Sequence, residues 1–172
     1  HVGVTGEVGR RRDRSPSWPA GAVGSIAHCA HLALAVAASA RDLTGLGVDV
    51  EDDAAVPVDL TSVVLTSAER AYVTGERAHL LPAMFSMKEA AYKCWYPLTE
   101  VELDFTDIQV NLDAETGAFR ADMVTAVLRR PMHLPVHGRM LRQRGHVYAA
   151  AWTVYPGPRQ SRADPTTGPG SG

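Results

Sequence analysis

Apolar and polar positions along the chain change period from one stretch to the next. Leu46-Gly-Val-Asp-Val-Glu alternates apolar and acidic residues with period two, the pattern of a strand with one buried face. That alternation predicts Asp49 and Glu51 on one face and Val48 and Val50 on the other. Two carboxylates then stand about 7 Å apart, given the roughly 3.3 Å rise per residue of a strand. Upstream, Ser25 to Ala40 holds the unbroken apolar run Leu32-Ala-Leu-Ala-Val-Ala-Ala. Periodicity alone fits a buried helix or a buried strand there; the length and the turn at Asp42 to Gly47 favour a strand, hairpin-paired with Leu46 to Glu51.

Helical spacing replaces alternation further on. Met84, Met87, Ala91 and Cys94 recur at intervals of three and four, which predicts a helix over Ala83 to Tyr96, opened by Pro82 and stopped by Pro97. Glu89 and Lys93 fall on a different face, one turn apart. Before it, Thr66-Ser-Ala-Glu69 has capping-box spacing and predicts a short helical stretch ending at Gly75. After it, Leu103 to Leu112, Gly117 to Thr125 and Val147 to Tyr155 alternate like strands, with Asp113-Ala-Glu-Thr-Gly117 as a hairpin turn. The order of strand pair, helices and strands implies an α+β fold rather than a parallel α/β sheet.

Composition narrows the function classes. A chain of 172 residues that is 45% apolar can bury one core or two small lobes that share one. Its 17 basic and 19 acidic residues give a net charge of -2, which disfavours nucleic-acid and polybasic membrane binding. No apolar run approaches the roughly 20 residues of a membrane span, and the first residues lack the design of a signal peptide, so a soluble cytoplasmic protein is expected. Arg10 to Gly24 is too rich in Gly and Pro for a helix and reads as a loop carrying four arginines and Trp18. Pro156 to Gly172 has almost no apolar residues and is expected to be a disordered tail. His1 stands where a Met would open a chain, so a preceding segment is expected to be missing.

The candidate chemistry is local. Asp49, Glu51, Asp52 and Asp53 concentrate negative charge at one strand end, which suits a hard divalent cation such as magnesium, although hydrated acids at an exposed strand end are the plainer explanation. Glu89 and Lys93 by themselves are the favoured helical ion pair. Cys29 and Cys94 are too few for a disulfide framework and read as reduced core thiols. His28 and His31 flank Cys29, but a structural zinc site takes four ligands and the sequence offers no second cluster. Walker loops, nucleophile elbows and His-Glu-x-x-His helices do not occur. What remains is a set of carboxylates, a Lys-Glu-Lys helix and an arginine loop, the ingredients of magnesium-assisted phosphoryl chemistry.

Four segments, in order, carry a family likeness: Ser-Pro-Ser-Trp-Pro-Ala-Gly (15 to 21), Gly-Ser-Ile-Ala-His (24 to 28), Gly-Val-Asp-Val-Glu (47 to 51) and Phe-Ser-Met-Lys-Glu-Ala-Ala-Tyr-Lys (85 to 93). From about Arg10 to Tyr155 the chain resembles a 4'-phosphopantetheinyl transferase of the enterobactin-synthetase and Sfp type. The resemblance implies a holo-[acyl-carrier-protein] synthase type enzyme. It would move the phosphopantetheine arm of coenzyme A to a serine of an apo acyl or peptidyl carrier protein and release adenosine 3',5'-bisphosphate.

The same resemblance implies Mg2+ held by Asp49, Glu51 and Glu89. It makes Glu89 the base for the carrier serine, with Glu51 acting through water as the alternative. Lys93 is assigned to the pyrophosphate, with Lys88 as a further phosphate contact. His28 is assigned to a coenzyme A phosphate, and Arg14 to the 3'-phosphate region, with Arg10, Arg11 or Arg12 as substitutes. The fold it implies is a pseudo-twofold pair of α/β lobes: residues 1–57 as a first lobe expected to lack its N-terminal part, 58–155 as the second, and 156–172 as the tail. A monomer that binds neither nucleic acid nor membrane is expected. The expected missing segment makes a non-catalytic coenzyme A or carrier-protein binding module the alternative function.

Overall fold

The computed structural model describes residues 5–54, 58–124 and 134–154. The expected tail and the strand ends at Thr125 and Tyr155 lie outside them. Within the arginine loop, β1 (Gly9–Arg10) pairs antiparallel with β2 (Pro16–Ser17). Next comes a longer hairpin, β3 (Ala22–His28) against β4 (Ala33–Ser39), closed at its tip by the Cys29 amide donating to the Leu32 carbonyl at 2.9 Å. The apolar run at Leu32 therefore is a strand, but its partner is the segment immediately before it.

The strand expected to complete that pair goes elsewhere. β5 (Gly45–Asp52) forms an antiparallel ladder with the last strand of the chain, Asp49 opposite Ala149 and Glu51 opposite Val147. Alternation identifies a strand and its buried face, but not the strand it will pair with. β5 thereby becomes one edge of a five-stranded sheet and shares no ladder with the β3–β4 hairpin.

Two short helices follow, α1 (Thr61–Val64) and α2 (Ser67–Tyr72), the second opened by the capping box that Thr66 and Glu69 announced. The long helix α3 spans Leu81–Thr99. Pro97 does not stop it: the helix runs on to Thr99 and ends at Glu100, which takes a left-handed conformation at φ 53°. Of the stretch from Leu103, only β6 (Ile108–Leu112) is a strand, because Asp104 and Asp107 cap a 3-10 turn ahead of it. β7 (Ala118–Met123), β8 (Val136–Gln143) and β9 (His146–Thr153) complete the sheet in the order β5-β9-β8-β7-β6. β8 is the strand that no sequence pattern flagged: glycine occupies its buried position 138, against the Phe119 ring, and Leu141 is exposed, so apolar and polar residues do not alternate cleanly.

Helix α3 lies across one face of this sheet. Its stripe of Met84, Met87, Ala91 and Cys94 is buried against Val110, Ala121, Val136, Val147, Ala149 and Ala151. On the opposite face, Val48 and Val50 pack with Ala27 of β3 and Tyr148 and Ala150 of β9, so the β3–β4 hairpin covers the back of β5. Asp49 and Glu51 consequently look toward the helix side. No helix among the described residues is long and apolar enough to cross a membrane.

One contact sets how closely α3 approaches β5. A Cβ added at Gly47 would overlap the Ala90 carbonyl and crowd the Cys94 amide. The helix backbone rests on the strand because Gly47 has no side chain. Gly47→Ala is expected to cost about 1–3 kcal/mol by pushing the helix off the strand; an unchanged urea midpoint would remove this contact from the account.

Candidate active site

Close approach at Gly47 brings the next inward position of β5 against the next turn of α3. Asp49 is only 3% exposed. The Lys93 ammonium donates to Asp49 Oδ1 at 2.6 Å and stands 3.8 Å from Glu89 Oε2. The i,i+4 pair expected on the helix thus exists, but Lys93 makes its shorter contact with the strand. Among the described residues, Asp49 Oδ2 is buried with no hydrogen-bond partner. A buried carboxylate oxygen without a partner is costly unless a cation or water completes it.

Glu51 and Glu89 share this electrostatic environment. Burial raises the Glu89 carboxyl above its ordinary value; Lys93 pulls it back while Asp49 adds to the rise. Glu51 is raised first by burial and then by the Asp49 charge. Three carboxylates facing one ammonium leave an excess of negative charge. An oxygen-only donor set with an unpartnered Asp49 Oδ2 has the chemistry magnesium takes, although the three carboxylates do not converge within 4.8 Å of one another.

Lys88 does not join them. It is 0% exposed, its ammonium 2.6 Å from Glu69 Oε2, and it donates to the Val64 carbonyl at 2.7 Å and the Phe105 carbonyl at 2.8 Å. Desolvation pushes its pKa down against the pull of Glu69. All of its donors are committed inside the protein, so the phosphate contact expected of Lys88 has no free ammonium to make it.

A cleft of about 710 Å3 opens beside Lys93, lined among others by Arg11, Arg14, Trp18, Ser25 and Tyr92. That volume is of the size that takes a cofactor. The arginine loop is pinned over it: the Tyr96 hydroxyl donates to Asp13 Oδ2 at 3.1 Å, and Asp13 in turn accepts from Ser15. Arg14 sits in the left-handed region at φ 71°, a turn conformation uncommon outside glycine. Arg11 and Arg14 therefore are the loop arginines at the cleft. His28 lies exposed at the end of β3 and is not among the residues lining this cleft. Ser25 and Tyr92 were not singled out from the sequence; Ser25 lay inside the Gly-Ser-Ile-Ala-His segment, and Tyr92 directly precedes Lys93.

A helix laid on an antiparallel sheet thus carries three carboxylates and a lysine at their contact, and that lysine lines a cleft with two arginines. The chain belongs to the 4'-phosphopantetheinyl transferase superfamily, whose family model matches residues 45–151. The 4'-phosphopantetheinyl transferase N-terminal domain matches residues 2–38. The 4'-phosphopantetheinyl transferase Svp of Streptomyces mobaraensis is 38% identical over 118 residues, covering 66% of this chain and 48% of that protein. The 4'-phosphopantetheinyl transferase PptT of Mycobacterium tuberculosis is 30% identical over 148 residues, covering 78% of this chain and 63% of its own length. Enterobactin synthase component D of Salmonella typhimurium is 36% identical over 102 residues, 55% of this chain and 41% of that protein. The chain spans about half the length of the curated relatives it matches. Among solved structures, the Thermotoga maritima holo-[acyl-carrier-protein] synthase aligns at a TM-score of 0.49 and 17% identity, over 64% of this chain and 63% of that one.

Proposed function

We propose that this protein transfers the 4'-phosphopantetheine group of coenzyme A to a serine of an apo acyl or peptidyl carrier protein. The observation that carries the reading is the partnerless Asp49 Oδ2, buried where β5 meets α3 and beside Lys93, which pairs with Asp49 and also lines the arginine-bearing cleft. Asp49, Glu51 and Glu89 would hold Mg2+, which when bound supplies charge neutralisation for a pyrophosphate. Glu89, half-buried and with its proton affinity raised, takes the proton from the carrier serine hydroxyl. The serine oxygen then forms its bond to the phosphorus bearing the pantetheine arm, and the bond to the other phosphate breaks. Lys93, 29% exposed, offers its remaining protons to the departing adenosine 3',5'-bisphosphate. Arg14 and Arg11, which line the cleft, would orient the phosphates of the nucleotide end.

Incubating the protein with Mg2+, coenzyme A and a panel of purified apo carrier proteins is expected to add one phosphopantetheine mass to a carrier. Coenzyme A binding with no mass gain on any carrier would overturn the transferase reading in favour of a binding module.

Metal loading has its own expected signature. The raised carboxyls of Glu51 and Glu89 mean that the folded, metal-free protein retains protons that the unfolded chain has released. Its stability should therefore fall as pH rises from the ordinary carboxylate range through the elevated values. Mg2+ should offset this at neutral pH, adding about 2.7 kcal/mol at a hundred times its Kd. Thermal scans with and without Mg2+ across that pH range measure both effects, and equal midpoints at neutral pH would refute metal binding here.

A further inference from the structure

We infer that Cys29, Asp52 and His146 form a second metal site, for a zinc-type transition-metal ion, that fastens the tip of the β3–β4 hairpin to the edge of the five-stranded sheet. One ligand atom of each lies within 4.8 Å of the others. The residues come from three separate places: Cys29 follows β3 directly, Asp52 closes β5, and His146 opens β9 as the cross-strand partner of Asp52.

Alternation along β5 puts Asp52 on the face of Val48 and Val50, opposite to Asp49 and Glu51. The site is thus on the back of the strand from the acidic group described above. Cys29 packs on the small apolar cluster of Ala27, Val48 and Val50 that fills this face.

The histidine ring is held in place through one of its two nitrogens. His146 Nδ1 stands 3.0 Å from the Arg144 carbonyl, which can only accept, so Nδ1 carries a proton. Nε2 faces Asp52 Oδ1 at 3.4 Å, a contact that either a ring proton or a metal ion bound beside Cys29 would satisfy. A ring fixed through its other nitrogen to a backbone carbonyl is the arrangement by which metal-bound histidines are oriented.

Cys29 Sγ at the third corner decides the kind of ion. A thiolate, an imidazole and a carboxylate select zinc and its neighbours over magnesium. Three protein ligands leave a fourth tetrahedral position to water. His28 immediately precedes Cys29, so an ion here would also hold the turn that carries His28; that consequence rests on the function proposed above, whereas the site itself does not.

Cobalt(II) titrated into the reduced protein with saturating Mg2+ tests the site spectroscopically. We expect a thiolate-to-cobalt charge-transfer band, displaced stoichiometrically by Zn2+. The chain has two cysteines, and Cys94 is fully buried with its thiol pushed up to about 12, so a thiolate ligand must be Cys29. Cys29→Ser should abolish the band, and His146→Gln should weaken cobalt affinity by at least about tenfold, the smallest loss expected when even an outer partner of a metal site is removed. Absence of the band in the unmodified protein, its survival in Cys29→Ser, or its loss to Mg2+ competition would each overturn the proposal. None of these readouts depends on transferase activity.

Discussion

Replacing Glu89 by glutamine is expected to lower the turnover of carrier-protein modification by about 10²–10⁴-fold. The amide keeps the shape of the side chain but can neither take the serine proton nor carry charge to a cation. Since burial disfavours the charged form of Glu89 in the metal-free protein, the variant should unfold at a urea concentration no lower than the parent's. Glu51→Gln separates the two candidate bases. If a water held by Glu51 did the work, that variant would show the larger turnover loss and Glu89→Gln would retain activity within about tenfold. Weakened Mg2+ binding should accompany both substitutions, so turnover is compared at saturating Mg2+.

The largest effect on stability is expected at Lys88. Lys88→Met leaves Glu69 buried at 2% exposure with its charge unopposed, a loss of about 3–5 kcal/mol for a broken buried pair. Glu69 is also structurally committed: its carboxylate accepts from the Thr66 amide and the Val110 amide, both at 2.7 Å, joining the start of α2 to β6. Glu69→Gln alone should also destabilise, since its one amide oxygen can accept from only one of these amides, but the double variant should lose less than the sum of the two, a coupling energy above about 1 kcal/mol in a double-mutant cycle. Additive losses would mean that the two side chains act independently. The coenzyme A KM of folded Lys88→Met should stay within about twofold of the parent value, because no Lys88 donor is free for a ligand; a large rise in KM would restore Lys88 to the phosphate site.

The two lysines of the Lys88-Glu89-Ala-Ala-Tyr-Lys93 segment show where sequence reading reaches its limit. Both lie on α3 near Glu89, and both are positive. Five positions apart on a helix, they project in directions differing by about 140° at 3.6 residues per turn. One direction meets α1, α2 and the turn at Phe105; the other meets β5. Helical periodicity predicted the apolar stripe of α3 correctly because burial is a property of one face. It could not say which polar face would meet a second element, since that depends on elements far off in the chain.

Pairing shows the same limit. The alternation at Leu46 to Glu51 correctly separated Asp49 and Glu51 from Val48 and Val50, and the motif order carried the family likeness. Yet the neighbour in sequence was not the neighbour in space, because β5 pairs with β9. The His28-Cys29-Ala30-His31 cluster suggested metal and then lacked partners for the same reason: Asp52 and His146 come within 4.8 Å of Cys29 only through the β5–β9 ladder and the fold of the hairpin.

By itself, then, the sequence determined the α+β class, the buried faces of β5 and α3, the capped start of α2 and the segments holding Asp49, Glu51, Glu89 and Lys93, since each follows from local periodicity, capping chemistry or motif order. The tertiary structure alone decided that α3 could settle on β5 at Gly47, that Lys93 would reach Asp49 while Lys88 was withdrawn to Glu69, and that β5 would join the far end of the chain. Those outcomes depend on long-range packing and hydrogen-bond ladders, in which residues distant in sequence compete for the same face.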